Sequence, residues 1–136
     1  MLRRLESHLA AMGVEICMGF EIQKLSIDGE RCTGAVLDTP GKPRTVHADS
    51  VILASGKFSH LLEGRLGNEC ASELTIGVSK ELQPVSSHGV VLANNLFACG
   101  SVLGRLESRY GNAIAIVSGH QAGMLAWQRG VHYAKP

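Results

Sequence analysis

Near the start of the 136-residue chain, Leu2, Leu5, Leu9 and Met12 recur every three or four positions among charged residues. That spacing lines one face of a short helix, and Gly13 offers the left-handed backbone at which helices end. The period then shortens. Residues 14–17 (Val-Glu-Ile-Cys) read as a brief strand closed by a turn at Gly19. Ile22, Leu25 and Ile27 give a strand over 20–27, Asp28-Gly29 is a hairpin turn signal, and 32–37 brings the chain back with Val36 and Leu37. A turn at 39–43 (Thr-Pro-Gly-Lys-Pro) leads to another short strand at 45–47.

Two later runs do not alternate. Residues 51–53 (Val-Ile-Leu) are bounded by Asp49 and by Ala54-Ser55-Gly56, and residues 96–99 (Leu-Phe-Ala-Cys) emerge from an Asn94-Asn95 turn and stop at Gly100. Unbroken apolar runs of this length predict parallel strands buried on both faces. Between them, residues 57–91 carry Gly64, Gly67, Gly77, Pro84 and Gly89 without a clean period, which predicts irregular structure with short strands near 74–76 and 89–92. Residues 112–129 repeat at helical spacing, with Gly130 as the expected stop, and their small residues (Ala113, Ala115, Gly119, Ala122, Gly123, Ala126) suit close packing. The expected organisation is one α/β domain. Residues 1–56 form a helix, an antiparallel β insert and a strand; 57–93 form a cap-like segment; 94–136 form a strand and a helix.

Composition narrows the classes. A formal charge of +1 and only one Trp, two Tyr and three Phe argue against a nucleic-acid partner, which needs clustered cations and stacking platforms. Cys17, Cys32, Cys70 and Cys99 have no C-x-x-C spacing, the histidines show no ligand spacing, and no metal site is expected. The first residues lack the apolar run of a leader, and no run reaches the ~20 apolar residues of a membrane span. A cytoplasmic location is expected, with contact to the inner membrane only through partner subunits.

Chemistry concentrates where the strands end. Gly56 and Gly100 let bare backbone approach a diphosphate or ribityl chain, with Ser101 directly after. Gly111-Asn112-Ala113-Ile114 opens the long helix, whose first N–H groups and dipole favour the negative charge of a reduced flavin. The plainer alternative is an ordinary strand–loop–helix unit with Asn112 as its cap.

Residues 51–58 (Val-Ile-Leu-Ala-Ser-Gly-Lys-Phe) and 95–104 (Asn-Leu-Phe-Ala-Cys-Gly-Ser-Val-Leu-Gly) resemble the C-terminal half of the B subunits of anaerobic glycerol-3-phosphate dehydrogenases. Residues 111–123 (Gly-Asn-Ala-Ile-Ala-Ile-Val-Ser-Gly-His-Gln-Ala-Gly) are similar to the flavin-proximal helix of fumarate-reductase-type flavoproteins. The resemblance implies FAD as cofactor, with Ile22 at the adenine and Ala54, Ser55 and Gly56 near the ADP moiety. It further implies Gly100 and Ser101 at the pyrophosphate and ribityl chain, and Gly111, Asn112, Ala113 and Ile114 under the ring. The B subunits have a glycine run where this chain has Gly111-Asn112-Ala113, and a longer loop before it. The implied fold is the C-terminal part of a Rossmann-like FAD-binding domain with an antiparallel β insert. It lacks the N-terminal βαβ glycine-rich unit, for there is no G-x-G-x-x-G.

Two pairs are candidates for the substrate side. Arg105 and Arg109 are placed to hold a phosphate or carboxylate, and His60 and His88 to carry protons near neutral pH. Solvated arginines and bystander histidines are the ordinary alternatives. The resemblance implies oxidation of glycerol 3-phosphate to dihydroxyacetone phosphate, with electrons passing to quinone through partner subunits. A fumarate-reductase-like fragment acting on a carboxylate, and a non-catalytic remnant serving as an assembly partner, stand beside it. On this reading the chain alone binds FAD weakly, is inactive, and exposes an apolar face to a homodimer mate or a partner subunit.

Overall fold

In the computed structural model, residues 2–39, 41–56, 60–62, 76–103 and 111–133 are described. Helix α1 (Leu2–Ala11) ends as the spacing predicts, with the Gly13 N–H on the Ala10 carbonyl at 3.0 Å. The predicted strand at 14–17 does not form. Its apolar and polar residues alternate, but among the described residues no strand lies beside it, and a strand without a neighbour leaves its backbone polar groups to water.

The hairpin follows the sequence closely. Strands β1 (Glu21–Asp28) and β2 (Arg31–Asp38) pair antiparallel, and β3 (Arg44–His47) adds to the other edge of β2. Gly34 faces His47 so closely that a methyl there would run into the Val46 carbonyl oxygen. β4 (Val51–Leu53) and β5 (Leu96–Ala98) pair parallel, with Val51 opposite Leu96 and Leu53 opposite Ala98. The expected parallel pairing is present, but only β5 is fully buried; Ile52 of β4 is exposed. Beyond the other edge of β5, the Ala98 N–H donates to the Leu82 carbonyl at 2.8 Å. Leu82 is the one described non-glycine residue in the left-handed region, with φ 58°.

Residues 76–93 are irregular, as expected, but the short strand expected near 89–92 is reduced to a single bridge between Val85 and Val91, beside another between Val78 and Pro84. Ile76 is buried and donates its N–H to the Val102 carbonyl, whereas the remainder of the strand expected at 74–76 lies outside the described residues. Helix α2 (Gly111–Tyr133) runs through Gly130 instead of stopping there. A methyl on Gly130 would sit 4.0 Å from Asp49 Cβ, an ordinary contact distance, where the helix passes the segment before β4. The Ser50 hydroxyl donates to the Ala126 carbonyl at 3.1 Å across the same contact.

The alternation along β5 divides the core. Leu96 and Ala98 pack with Leu25 and Cys32 of the hairpin, and with Leu53, Leu62, Ile76 and Val102. Phe97 and Cys99 point the other way, against Ala122, Leu125 and Ala126 of α2. The parallel pair is therefore the middle layer between the antiparallel sheet and α2.

Candidate functional site at the ends of the parallel strands

Both parallel strands end in glycine at the same edge. Gly56 has φ 73° and Gly100 has φ 76°, a region that side chains with a Cβ rarely adopt. The Cys99 N–H donates to the Leu53 carbonyl at 2.9 Å, keeping the two strand ends in step. A methyl on Gly56 would lie 3.9 Å from Ser101 Oγ, and one on Gly100 would meet nothing within 4 Å. The two left-handed glycines and the Ser101 hydroxyl lie at the edge where a diphosphate or ribityl chain is expected. Ala54, Ser55 and Ser101 are exposed around it.

The turn after β5 is tied to α2. The Gly100 N–H donates to Ser118 Oγ at 3.0 Å, and the Ser118 hydroxyl donates to the Ile114 carbonyl at 2.6 Å. Ser118 is 5% exposed. Gly100, Ser101 and Ile114 are thus brought together, with Gly111, Asn112 and Ala113 in the preceding turn of the helix. Asn112 lies inside α2 and not at its cap, which sets aside the capping alternative for that residue.

The other candidates are dispersed. Ile22 stands on β1 opposite Leu37, in the antiparallel sheet and not beside the glycine pair. His88 occupies an exposed turn closed by the Gly89 N–H on the Ser86 carbonyl at 2.9 Å. His60 begins a 3-10 turn (His60–Leu62), and its side chain is outside the described residues. Arg105 and Arg109 also lie outside them. Among the described residues no group of three His, Cys, Asp or Glu could hold a metal ion, and no helix is long and apolar enough to cross a membrane.

Sequence reasoning missed Asn95, which ties the beginnings of the parallel strands, and Ser118, which is bound to the site at their ends. Asn95, read as part of a turn, is 1% exposed and acts as a clamp. Its Oδ1 accepts the Cys32 N–H, and its Nδ2 donates to the carbonyls of Cys32 and Asp49, each at 2.7 Å. Ser118 is the second; its signal was a lone hydroxyl in the Ile114–Ser118–Ala122 row of an otherwise apolar helix face.

Cys17 and Cys99 are thiols. The Glu15 carboxylate beside the exposed Cys17, 3.4 Å from its sulfur, pushes that thiol above its ordinary pKa. Burial does the same for Cys99, directly before Gly100.

A family model described as an FAD binding domain matches residues 1–79. That span takes in β4 and Gly56; Gly100, Ser118 and α2 lie beyond it. No curated protein matches the chain.

Proposed function

The chain belongs to the FAD-binding domain family and its cofactor is FAD; from that premise we propose that it acts in oxidation of glycerol 3-phosphate to dihydroxyacetone phosphate. The observation that carries the cofactor half of this reading is the shared edge of Gly56 and Gly100, open in front and followed by Ser101. The residues present fit one side of an FAD molecule. The glycine pair and Ser101 would meet the pyrophosphate and ribityl chain, and the first turn of α2 would face the ring. Bound FAD supplies a two-electron acceptor for the hydride leaving the substrate carbon. The protein's share is placement and charge: unpaired N–H groups at the start of a helix stabilise negative charge on the ring.

The substrate assignment rests on the resemblance of residues 51–58 and 95–104 to the B subunits of glycerol-3-phosphate dehydrogenases. Arg105 and Arg109, between the second glycine and α2 in sequence, are the proposed phosphate-holding groups, and His60 and His88 the proposed proton carriers. In this reading β4, β5 and α2 are part of a Rossmann-like domain, an N-terminal half or a partner subunit supplies a glycine-rich loop for the ADP half, and partner subunits pass electrons to quinone. Support for a partner comes from uncovered apolar residues: Met12, Val14, Ile16, Met18 and Phe20 on one stretch, and Ile116, Val117, Met124 and Trp127 on α2.

The test is anaerobic bleaching of the flavin in the complex purified through this chain. Glycerol 3-phosphate should bleach it and succinate should not. A flavin reduced by succinate alone would favour the carboxylate reading, and one reduced by neither would leave the assembly role.

A further inference from the structure

We infer that Ser118 is a positioning residue that sets the Gly100–Ser101 turn against the first turn of α2, and through it the fit of FAD; this rests on the cofactor reading above. A backbone N–H can only donate, so in the Gly100–Ser118 bond the hydroxyl must accept. Its single proton is then left for the helix and goes to the Ile114 carbonyl at 2.6 Å, with the Ala115 carbonyl at 3.5 Å as a weaker second acceptor. No other arrangement satisfies the three groups, and Ser118 is too buried for water to substitute. One oxygen therefore fixes the spacing of two elements on either side of the proposed FAD site: the turn at the ribityl chain and the helix turn at the ring.

The same bond has a consequence for Gly100. Its N–H is directed into the protein, so what it offers a ligand is the bare Cα face, where a methyl would meet nothing within 4 Å. Removing the Ser118 hydroxyl leaves the Gly100 N–H without its acceptor and frees a left-handed turn to relax. The expected result is a loss of about tenfold in FAD affinity.

The experiment compares the full chain with Ser118→Ala, Ser118→Thr and Ser50→Ala. Ser50 provides a matched control, because its hydroxyl also donates to an α2 carbonyl, that of Ala126, yet has no bond to the turn. Each protein is titrated with FAD by flavin fluorescence, and amide exchange at Gly100 is followed without FAD. Ser118→Ala should speed exchange at Gly100 and weaken FAD binding about tenfold, Ser118→Thr should restore both, and Ser50→Ala should change neither. Unchanged exchange in Ser118→Ala would overturn the bond. Faster exchange with unchanged FAD affinity would overturn the positioning role while leaving the cofactor reading intact. A wild-type chain that takes up no FAD, alone or in the complex purified through it, would overturn the cofactor reading, and this inference with it.

Discussion

Asn95 uses both amide protons and its carbonyl oxygen, and its partners are Cys32 on β2 and Asp49 in the segment before β4. Truncation to Ala would strand a buried N–H and two carbonyls at once. A loss of about 3 kcal/mol is expected, read from urea unfolding of Asn95→Ala against wild type. Asn95→Asp has a different signature. A buried carboxylate facing the carbonyls of Cys32 and Asp49 is disfavoured when charged, so its folded-state pKa lies above the unfolded value of about 3.9. Its destabilisation should grow as pH rises from that value, and equal loss at pH 4 and pH 7, values chosen about the carboxylate range, would contradict the arrangement. The cysteines give a chemical check. Alkylation followed by peptide mapping should mark the exposed Cys17 long before the buried Cys99. Because Glu15 raises the Cys17 thiol, its labelling should climb at higher pH than that of an isolated thiol. Neither Asn95 nor Ser118 could be read from the sequence, since each acts on a partner chosen by the tertiary fold. Cys32 is 63 positions from Asn95, and no local period encodes that separation.

At the scale of elements, the hairpin, the parallel pair and α2 were legible because each has its own period or a decisive turn residue. What failed had a tertiary cause. Residues 14–17 have the alternation of a strand but no neighbour among the described residues, and α2, bound by the Ser50 hydroxyl at Ala126, continues through Gly130 instead of ending there. The glycine ends of β4 and β5 were legible because a left-handed turn after a strand leaves a residue-level mark. Gly34 was not singled out, yet it is the glycine under the tightest constraint. Gly34→Ala should cost about 3 kcal/mol, because a methyl meets backbone that cannot rotate away. Thermal unfolding checks this, and a change below about 1 kcal/mol would mean that β2 and β3 can separate at little cost.

Over the whole molecule, burial is uneven. The core lies around β5, while α1, residues 12–20 and the outer face of α2 leave large apolar side chains in water, with Met18 at 78% and Trp127 at 71% exposed. Patches of this kind mark association surfaces. Sedimentation should show self-association that weakens in Trp127→Glu, and a wild-type chain that stays monomeric at high concentration would count against a second copy as the mate. The family match over residues 1–79 gives FAD as the cofactor, and the glycine-ended strands are the proposed place for it. The most direct measurement is an FAD titration of the chain and of Gly100→Val, with circular dichroism confirming that both are folded. The chain should give a weak but saturable flavin signal that Gly100→Val loses. Equal binding by the two proteins would contradict the site, and no binding by either, alone or in the complex purified through the chain, would contradict the cofactor.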